Sequence, residues 1–218
     1  MHVLRFTLVV ILLSAMPTAA QDVHAIAAKV DQRYDHLHTL EAQFTETYSG
    51  AGMTRTESGT LLLKKPGEMR WDYDQPRPKL FITDGKVAWF YVPGEKQARR
   101  TAVKQLEDLR SPLRYLLGKT KLEKELDGLS LAPDQKPANP DDIVLRGIPK
   151  GMRDRVAQTL LEVSPDGFIT RIVVEDLDGS LTEFRFHQQK ENVQIADQQF
   201  RFVPPPGVEI VAGTEMME

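Results

Sequence analysis

The chain has 218 residues, a formal net charge of −3 at pH 7 and a charged fraction of 27%. A slightly acidic balance with both signs well mixed and no basic run excludes nucleic acid as an expected partner. Cysteine is absent, which excludes disulfides, zinc–thiolate sites and thiol nucleophiles. The length suits one domain with its own hydrophobic core.

The first residues have the layout of a secretory signal peptide. Arg5 lies in a short leading region, an apolar run covers residues 6–13, and small residues lead to Ala20. This run is well short of the roughly 20 apolar residues that a membrane-spanning helix needs. We therefore predict that residues 1–20 are a cleaved signal peptide and that residues 21–218 form a single soluble domain.

The periodicity of apolar residues changes soon after this segment. Asp22 can cap a helix whose apolar stripe runs from Val23 to Leu37. From Thr39 to Tyr48 the period becomes two, which is typical of a half-buried strand. The sequence therefore predicts one amphipathic helix that leads directly into a sheet.

A tight hairpin is predicted around Lys65-Pro66-Gly67-Glu68, because proline cannot donate to a ladder and glycine accepts turn conformations. Side chains alternate along strands, so Leu61, Leu63 and Lys65 share one side of the first strand. Met69, Trp71 and Tyr73 share one side of the second. The apolar sides must coincide, and the resulting face has one cation at its rim. Taken by itself, this pattern is more often explained by an ordinary core hairpin with a snorkelling lysine.

Most of the remaining chain also reads as strand. Asp84-Gly85 marks a second hairpin, and Ser111 can cap a short helix that ends before Gly118. Further alternating segments are predicted at residues 96–101, 128–132, 142–147, 156–164, 168–176 and 180–188. The segment 200–208 is predicted to stop the sheet with its prolines.

The count is about ten or eleven strands and two modest helices, so the fold is predicted to be mainly β. A sheet of that size curls strongly because strands twist. Two short helices cannot fill its concave side. The sheet therefore either closes on its own side chains or leaves an apolar hollow for a guest.

The sequence shows no recognisable catalytic or metal-binding motif. His36 and His38 beside Asp35 lie where the helix passes into a strand, and exposed helix-end histidines explain them better than a metal site. The chain contains no Gly-x-Ser-x-Gly, His-Glu-x-x-His or phosphate-loop sequence. We therefore predict no catalytic residue, no metal and no cofactor; a secreted hydrolase is the less favoured alternative.

The stretch from Gly59 to Trp71 resembles the Gly…Leu…Arg-Pro…Phe-x-Trp segment of the LolA family of periplasmic lipoprotein carriers. The likeness continues through Asp84-Gly85-Lys86, Trp89-Phe90-Tyr91, Gln97 and Ser111-Pro112, and resumes at residues 202–208. These pieces occur in matching order over nearly all of the chain after the predicted signal peptide.

The resemblance implies an incomplete, strongly curved antiparallel β-barrel of about 11 strands, with a lid of short α-helices over its apolar concave face. It implies a monomeric, non-enzymatic periplasmic chaperone that shields the acyl chains of lipoproteins between the inner and outer membranes. The implied partners are acylated lipoproteins, an inner-membrane lipoprotein-releasing transporter complex and an outer-membrane lipoprotein receptor. A half-barrel that binds another lipid, or that senses mislocalised lipoproteins, is the alternative within this fold.

The resemblance also implies site residues. In the family, an arginine before the proline anchors the lid through hydrogen bonds to helix carbonyls; Lys65 stands there and lacks the planar fork of arginine. Met69 replaces the aromatic residue that precedes the family's tryptophan. The expected lipid cavity comprises Ala42, Phe44, Leu61, Leu63, Met69, Trp71 and Trp89. The expected lid and latch comprise Lys65, Tyr34, Leu113, Leu116 and Leu117.

Overall fold

The computed structural model of the protein describes residues 22–106, 116 and 121–213. The predicted signal peptide and most of the helix predicted from Ser111, with Leu113 and Leu117, lie outside the described residues. The predicted domain boundaries at residues 21 and 218 therefore also lie outside the described residues and stay predictions.

The predicted amphipathic helix is present as α1, Val23–His36. The Asp22 side chain caps it by accepting a hydrogen bond of 3.0 Å from the backbone N–H of His24. Its buried side carries Ala27, Val30 and Tyr34. A short second helix, α2 at Leu122–Glu125, was not predicted.

Twelve strands form a single curled sheet in the described part of the chain. They are β1 Thr39–Gly50, β2 Met53–Lys64, β3 Glu68–Gln75, β4 Lys79–Asp84, β5 Val87–Tyr91, β6 Gln97–Ala102, β7 Leu126–Leu131, β8 Ile143–Pro149, β9 Val156–Val163, β10 Ile169–Asp176, β11 Leu181–Glu191 and β12 Glu209–Ala212. Their spatial order is β12-β6-β5-β4-β3-β2-β1-β11-β10-β9-β8-β7. The predicted mainly β, strongly curved architecture is confirmed, with one strand more than the expected number.

The prediction that the prolines of residues 200–208 stop the sheet is wrong. After them the chain forms β12, which pairs with β6 in parallel, whereas the other neighbouring strands run antiparallel. The proline segment carries the chain across the sheet, so that β12 returns in the same direction as β6. Phe202 anchors this crossing on the rings of Trp89 and Tyr91, at 5.3 and 5.5 Å between centroids.

The two faces of the sheet have different chemistry. The inner face, defined by Leu61, Trp71 and Phe81, shares one hydrophobic cluster with the buried side of α1. The outer face, defined by Lys64, Asp72 and Trp89, carries polar and charged side chains over much of its area. The helix thus covers the apolar side of the curved sheet.

Candidate functional site

The β2–β3 hairpin supplies the centre of the inner face. Leu61 lies opposite Trp71 and Leu63 opposite Met69 in the antiparallel register, as the alternation of the sequence predicted. The exposed fractions of these four residues are between 0% and 2%. Aliphatic and aromatic surface is therefore concentrated on one face and shielded from water.

Aromatic rings from neighbouring strands complete this surface. The ring of Phe44 meets Trp71 edge-on at 4.7 Å between centroids and Tyr73 at 4.8 Å. Ala42 lies one alternation away on β1 and is fully buried. Sequence reasoning did not select Phe184 and Phe186 of β11, although their alternation in residues 180–188 was visible; both contact the Trp71 ring.

Gly59 permits close packing beside these rings. It lies opposite Phe44 on β1, and a Cβ at this position would lie 1.8 Å from the carbonyl oxygen of Asp72. A larger residue would force β2 and β3 apart. Glycine is therefore required by the close approach of the backbones.

The prediction that Trp89 lines the cavity is wrong. Trp89 pairs with Ile82 and Arg100, whereas its neighbour Phe90 pairs with Phe81 on the inner face. Strand alternation therefore places Trp89 on the outer face. There it contacts the ring of Phe202 and lies under the Arg100 guanidinium, 5.4 Å from the ring centroid.

Tyr34 fixes the buried side of α1 to the sheet. Its hydroxyl oxygen accepts a hydrogen bond of 3.1 Å from the backbone N–H of Ile169. Burial raises the pKa of the Tyr34 hydroxyl well above its ordinary value. Leu116 is 1% exposed and belongs to the same hydrophobic cluster. The structure thus brings Tyr34 and Leu116 to the helix-covered side of the inner face.

Lys65 joins the β2–β3 hairpin to the carboxyl end of α1. Its Nζ donates to the carbonyl oxygen of Tyr34 and, at 3.3 Å, to that of Asp35. Burial lowers the pKa of the Lys65 ammonium. The final carbonyl groups of a helix lack partners within the helix and carry partial negative charge. The Lys65 ammonium therefore satisfies backbone acceptors whose partial negative charge favours a cation.

Two further sets of polar contacts hold α1, and the sequence did not indicate them. Arg33 forms a 2.9 Å ion pair with Glu191 of β11 and stacks over the Phe168 ring at 4.2 Å. On the other side, Asp31 accepts from the N–H of Leu122 at 3.0 Å, and Asp35 pairs with Lys121. The partners of α1 therefore come from distant parts of the sequence.

The inner face ends in charged residues at the side of the β1–β2 turn. Glu46 and Glu57 lie opposite each other on β1 and β2, and each is 7% exposed. The Tyr73 hydroxyl donates to Glu46 at 2.6 Å, and Lys79 donates to Glu57 at 2.5 Å. Burial is the main cause that raises the pKa of the Glu46 carboxyl.

A curved sheet that wraps a helix-covered apolar interior defines a class of proteins able to enclose an apolar ligand. The sequence profile of outer membrane lipoprotein carrier protein LolA matches residues 35–203. The chain therefore belongs to the LolA family, as the motifs of the β2–β3 hairpin suggested.

Relatives agree with this membership, and a solved structure shares the fold. An outer-membrane lipoprotein carrier protein of Cronobacter sakazakii is 30% identical over 202 residues, which cover 91% of this chain and 93% of the relative. One from Chromobacterium violaceum is 28% identical over 186 residues, covering 80% and 82%. An uncharacterized conserved protein from Thermus thermophilus has a similar fold, with a TM-score of 0.53, 14% identity and coverage of 88% and 100%.

The described residues also bear on other kinds of site. Across residues 22–106 and 121–213, the structure brings together no group of three histidine or acidic side chains able to hold a metal. No helix in these ranges combines the length and the apolar character needed to cross a membrane.

Proposed function

We propose that this protein is a non-enzymatic carrier that encloses the acyl chains of lipoproteins against its inner face. The observation that supports this most is the chemistry around Trp71, where aliphatic and aromatic side chains from several strands lie beneath a helix. Burial of each methylene group contributes about 0.8 kcal/mol, so an acyl chain does not cross water unshielded. Family membership and the names of the relatives support the choice of lipoproteins as cargo.

The proposal requires α1 to move. The residues of the inner face are almost completely inaccessible to solvent in the observed arrangement, so acyl chains can reach them only after a covering element such as α1 is displaced. Its attachments combine a modest buried side with a few polar contacts at its edges. Such contacts are individually weak in water, which suits a cover that opens for each cargo.

The wider setting belongs to the same proposal. Residues 1–20 direct the chain across the inner membrane and are removed, and residues 21–218 act as a monomer in the periplasm. A transporter complex of the inner membrane supplies the lipoprotein, and a receptor at the outer membrane accepts it. Native mass spectrometry of protein purified from its own envelope distinguishes this cargo from another lipid by mass.

The two tryptophans provide a direct test, because they lie on opposite faces. Trp89→Phe leaves Trp71 as the reporter of the inner face, and Trp71→Phe leaves Trp89 as the reporter of the outer face. We expect a lipopeptide with brominated acyl chains to quench the fluorescence of the first variant and to spare the second. The same peptide without acyl chains serves as the control.

Other outcomes contradict the proposal in different ways. Quenching of Trp89 alone would place the lipid on the outer face. An absence of binding to the folded protein would refute the carrier function.

A further inference from the structure

The inner face changes from apolar to charged along a single direction. From the Lys65 end, β2 contributes Leu63 and Leu61, whose partners on β3 are Met69 and Trp71. Beyond Gly59 the next inward residue of β2 is Glu57. We use the term charged layer for Glu46, Glu57, Lys79 and the hydroxyl of Tyr73.

Glu46, Glu57 and Tyr73 of the charged layer are buried, Lys79 is partly buried, and the groups satisfy one another. Besides its bond to Glu57, the Lys79 Nζ lies 4.1 Å from the centre of the Tyr73 ring. Arg55 adds a contact of 3.4 Å to Glu57 from the solvent side. Separating such partners leaves an uncompensated charge in a buried place, which is strongly unfavourable. An apolar chain therefore cannot displace this layer as it can displace leucine or methionine side chains.

The layer lies between the apolar part of β2 and β3 and the solvent. On its outer side lies a pocket of about 320 Å³, lined by Glu57 and Lys79 of the layer, by Arg55, Arg77 and Arg99, and by Phe90 of the inner face. Leu63 and Glu57 stand at either end of the apolar part of β2, which spans roughly 20 Å of strand. The apolar stretch available along the strands is therefore bounded at this end.

We propose that the charged layer sets the greatest acyl-chain length that the inner face accepts, so that its residues determine specificity. The inference rests on the proposed carrier function. Each methylene group that enters the apolar stretch should raise affinity about fourfold. A methylene group that reaches the charged layer should add nothing, or should weaken binding.

The first experiment uses the unaltered mature protein and a series of peptides that carry lauroyl, myristoyl, palmitoyl, stearoyl or behenoyl chains. Equilibrium dialysis gives the affinity for each peptide. We expect affinity to rise with chain length and then to stop rising within the series. A continuous rise through behenoyl would overturn the inference while leaving the carrier function intact, whereas an absence of binding for every chain would refute both.

The chain length at which affinity stops rising is called the break. Paired substitutions then test whether the charged layer causes it. Glu57→Leu together with Lys79→Met removes the ion pair without leaving either charge unpaired, and Glu46→Leu with Tyr73→Phe removes the other half. We expect either folded double variant to move the break to longer chains. A break that stays in place in a folded double variant would overturn the inference.

The matched control is Arg70→Met with Asp72→Leu, which removes a partly buried 2.5 Å ion pair from the outer face of β3. Its break should coincide with that of the unaltered protein. A break that moves equally in the control would also overturn the inference, because the effect would then not depend on the inner face.

Discussion

At the scale of single residues, Lys65 shows how one side chain links the hairpin to the helix. Its backbone N–H donates to the carbonyl of His38 at 2.9 Å, while its side chain reaches the carbonyls of Tyr34 and Asp35. A lysine offers one compact ammonium where arginine offers a rigid fork of donors. The contact is therefore a modest attachment, and a cation at a helix carboxyl end contributes roughly 0.3–1 kcal/mol.

Replacement of Lys65 tests this attachment. We expect Lys65→Leu to loosen α1 and to add apolar surface near bound acyl chains, so that lipopeptide uptake persists while transfer to a receptor becomes slower. Lys65→Arg should strengthen closure without cargo, because its rigid fork offers a separate donor to each of the two carbonyls. Uptake and transfer should be measured separately for each variant.

Lys64→Leu is the matched control for these substitutions, since Lys64 lies on the outer face and pairs with Asp197. It should leave both steps unchanged. Unaltered transfer in Lys65→Leu would assign the attachment of α1 to other contacts.

At the scale of elements, α1 is held from both sides by segments that are remote in sequence. Arg33 reaches Glu191 and the carbonyl of Asp166, whereas Asp31 and Asp35 reach the segment that begins at Lys121. Partly exposed ion pairs contribute little individually. The buried stripe of the helix therefore determines where it lies, and the polar contacts at its edges determine how easily it opens.

Removal of the Arg33 contacts tests whether these edge contacts control the opening of α1. Arg33→Ala removes an ion pair and a cation–π contact, and should lower the free energy of opening of α1 by about 1 kcal/mol. Hydrogen exchange should therefore become faster in α1 while the amides of β1 and β2 keep their protection. Arg153→Ala, which removes an exposed pair with Asp127, provides the comparison. Equal exchange in the two variants would contradict a role for Arg33 in closure.

At the scale of the whole molecule, one buried carboxyl should affect global stability. Glu46 faces Tyr73, Glu57, Lys79 and Arg55 across the strands, and burial is the first cause that raises its pKa. Because the folded-state pKa is raised, the stability contributed by this group is complete below the unfolded-state pKa and is lost as pH rises through the folded-state pKa.

Glu46→Gln should remove this dependence. We expect the unaltered protein to lose stability relative to the variant as pH rises from the acid side of the carboxyl range towards neutrality, in urea unfolding followed by circular dichroism. Glu209→Gln, at an exposed position of β12, reports the effect of losing one surface charge. A difference between the unaltered protein and Glu46→Gln that does not vary with pH would disprove the effect of burial.

The sequence by itself determined the local elements and the chemistry of each face. Alternation placed Leu61 and Leu63 on the face that carries Met69 and Trp71, and helical periodicity with a capping Asp22 predicted α1 closely. These patterns are short-range, because side-chain direction follows from the backbone period alone.

The tertiary structure alone decided which faces meet and where the apolar surface ends. Trp89 is a large aromatic residue of the kind that lines apolar cavities, yet the register of β4 and β5 places it on the outer face. The parallel return of β12 and the partners of Arg33 likewise depend on contacts between residues far apart in the chain. The charged layer could not be predicted from the sequence for the same reason. Glu46, Glu57 and Lys79 come from three strands, and only the pairing of those strands brings their charges together away from solvent.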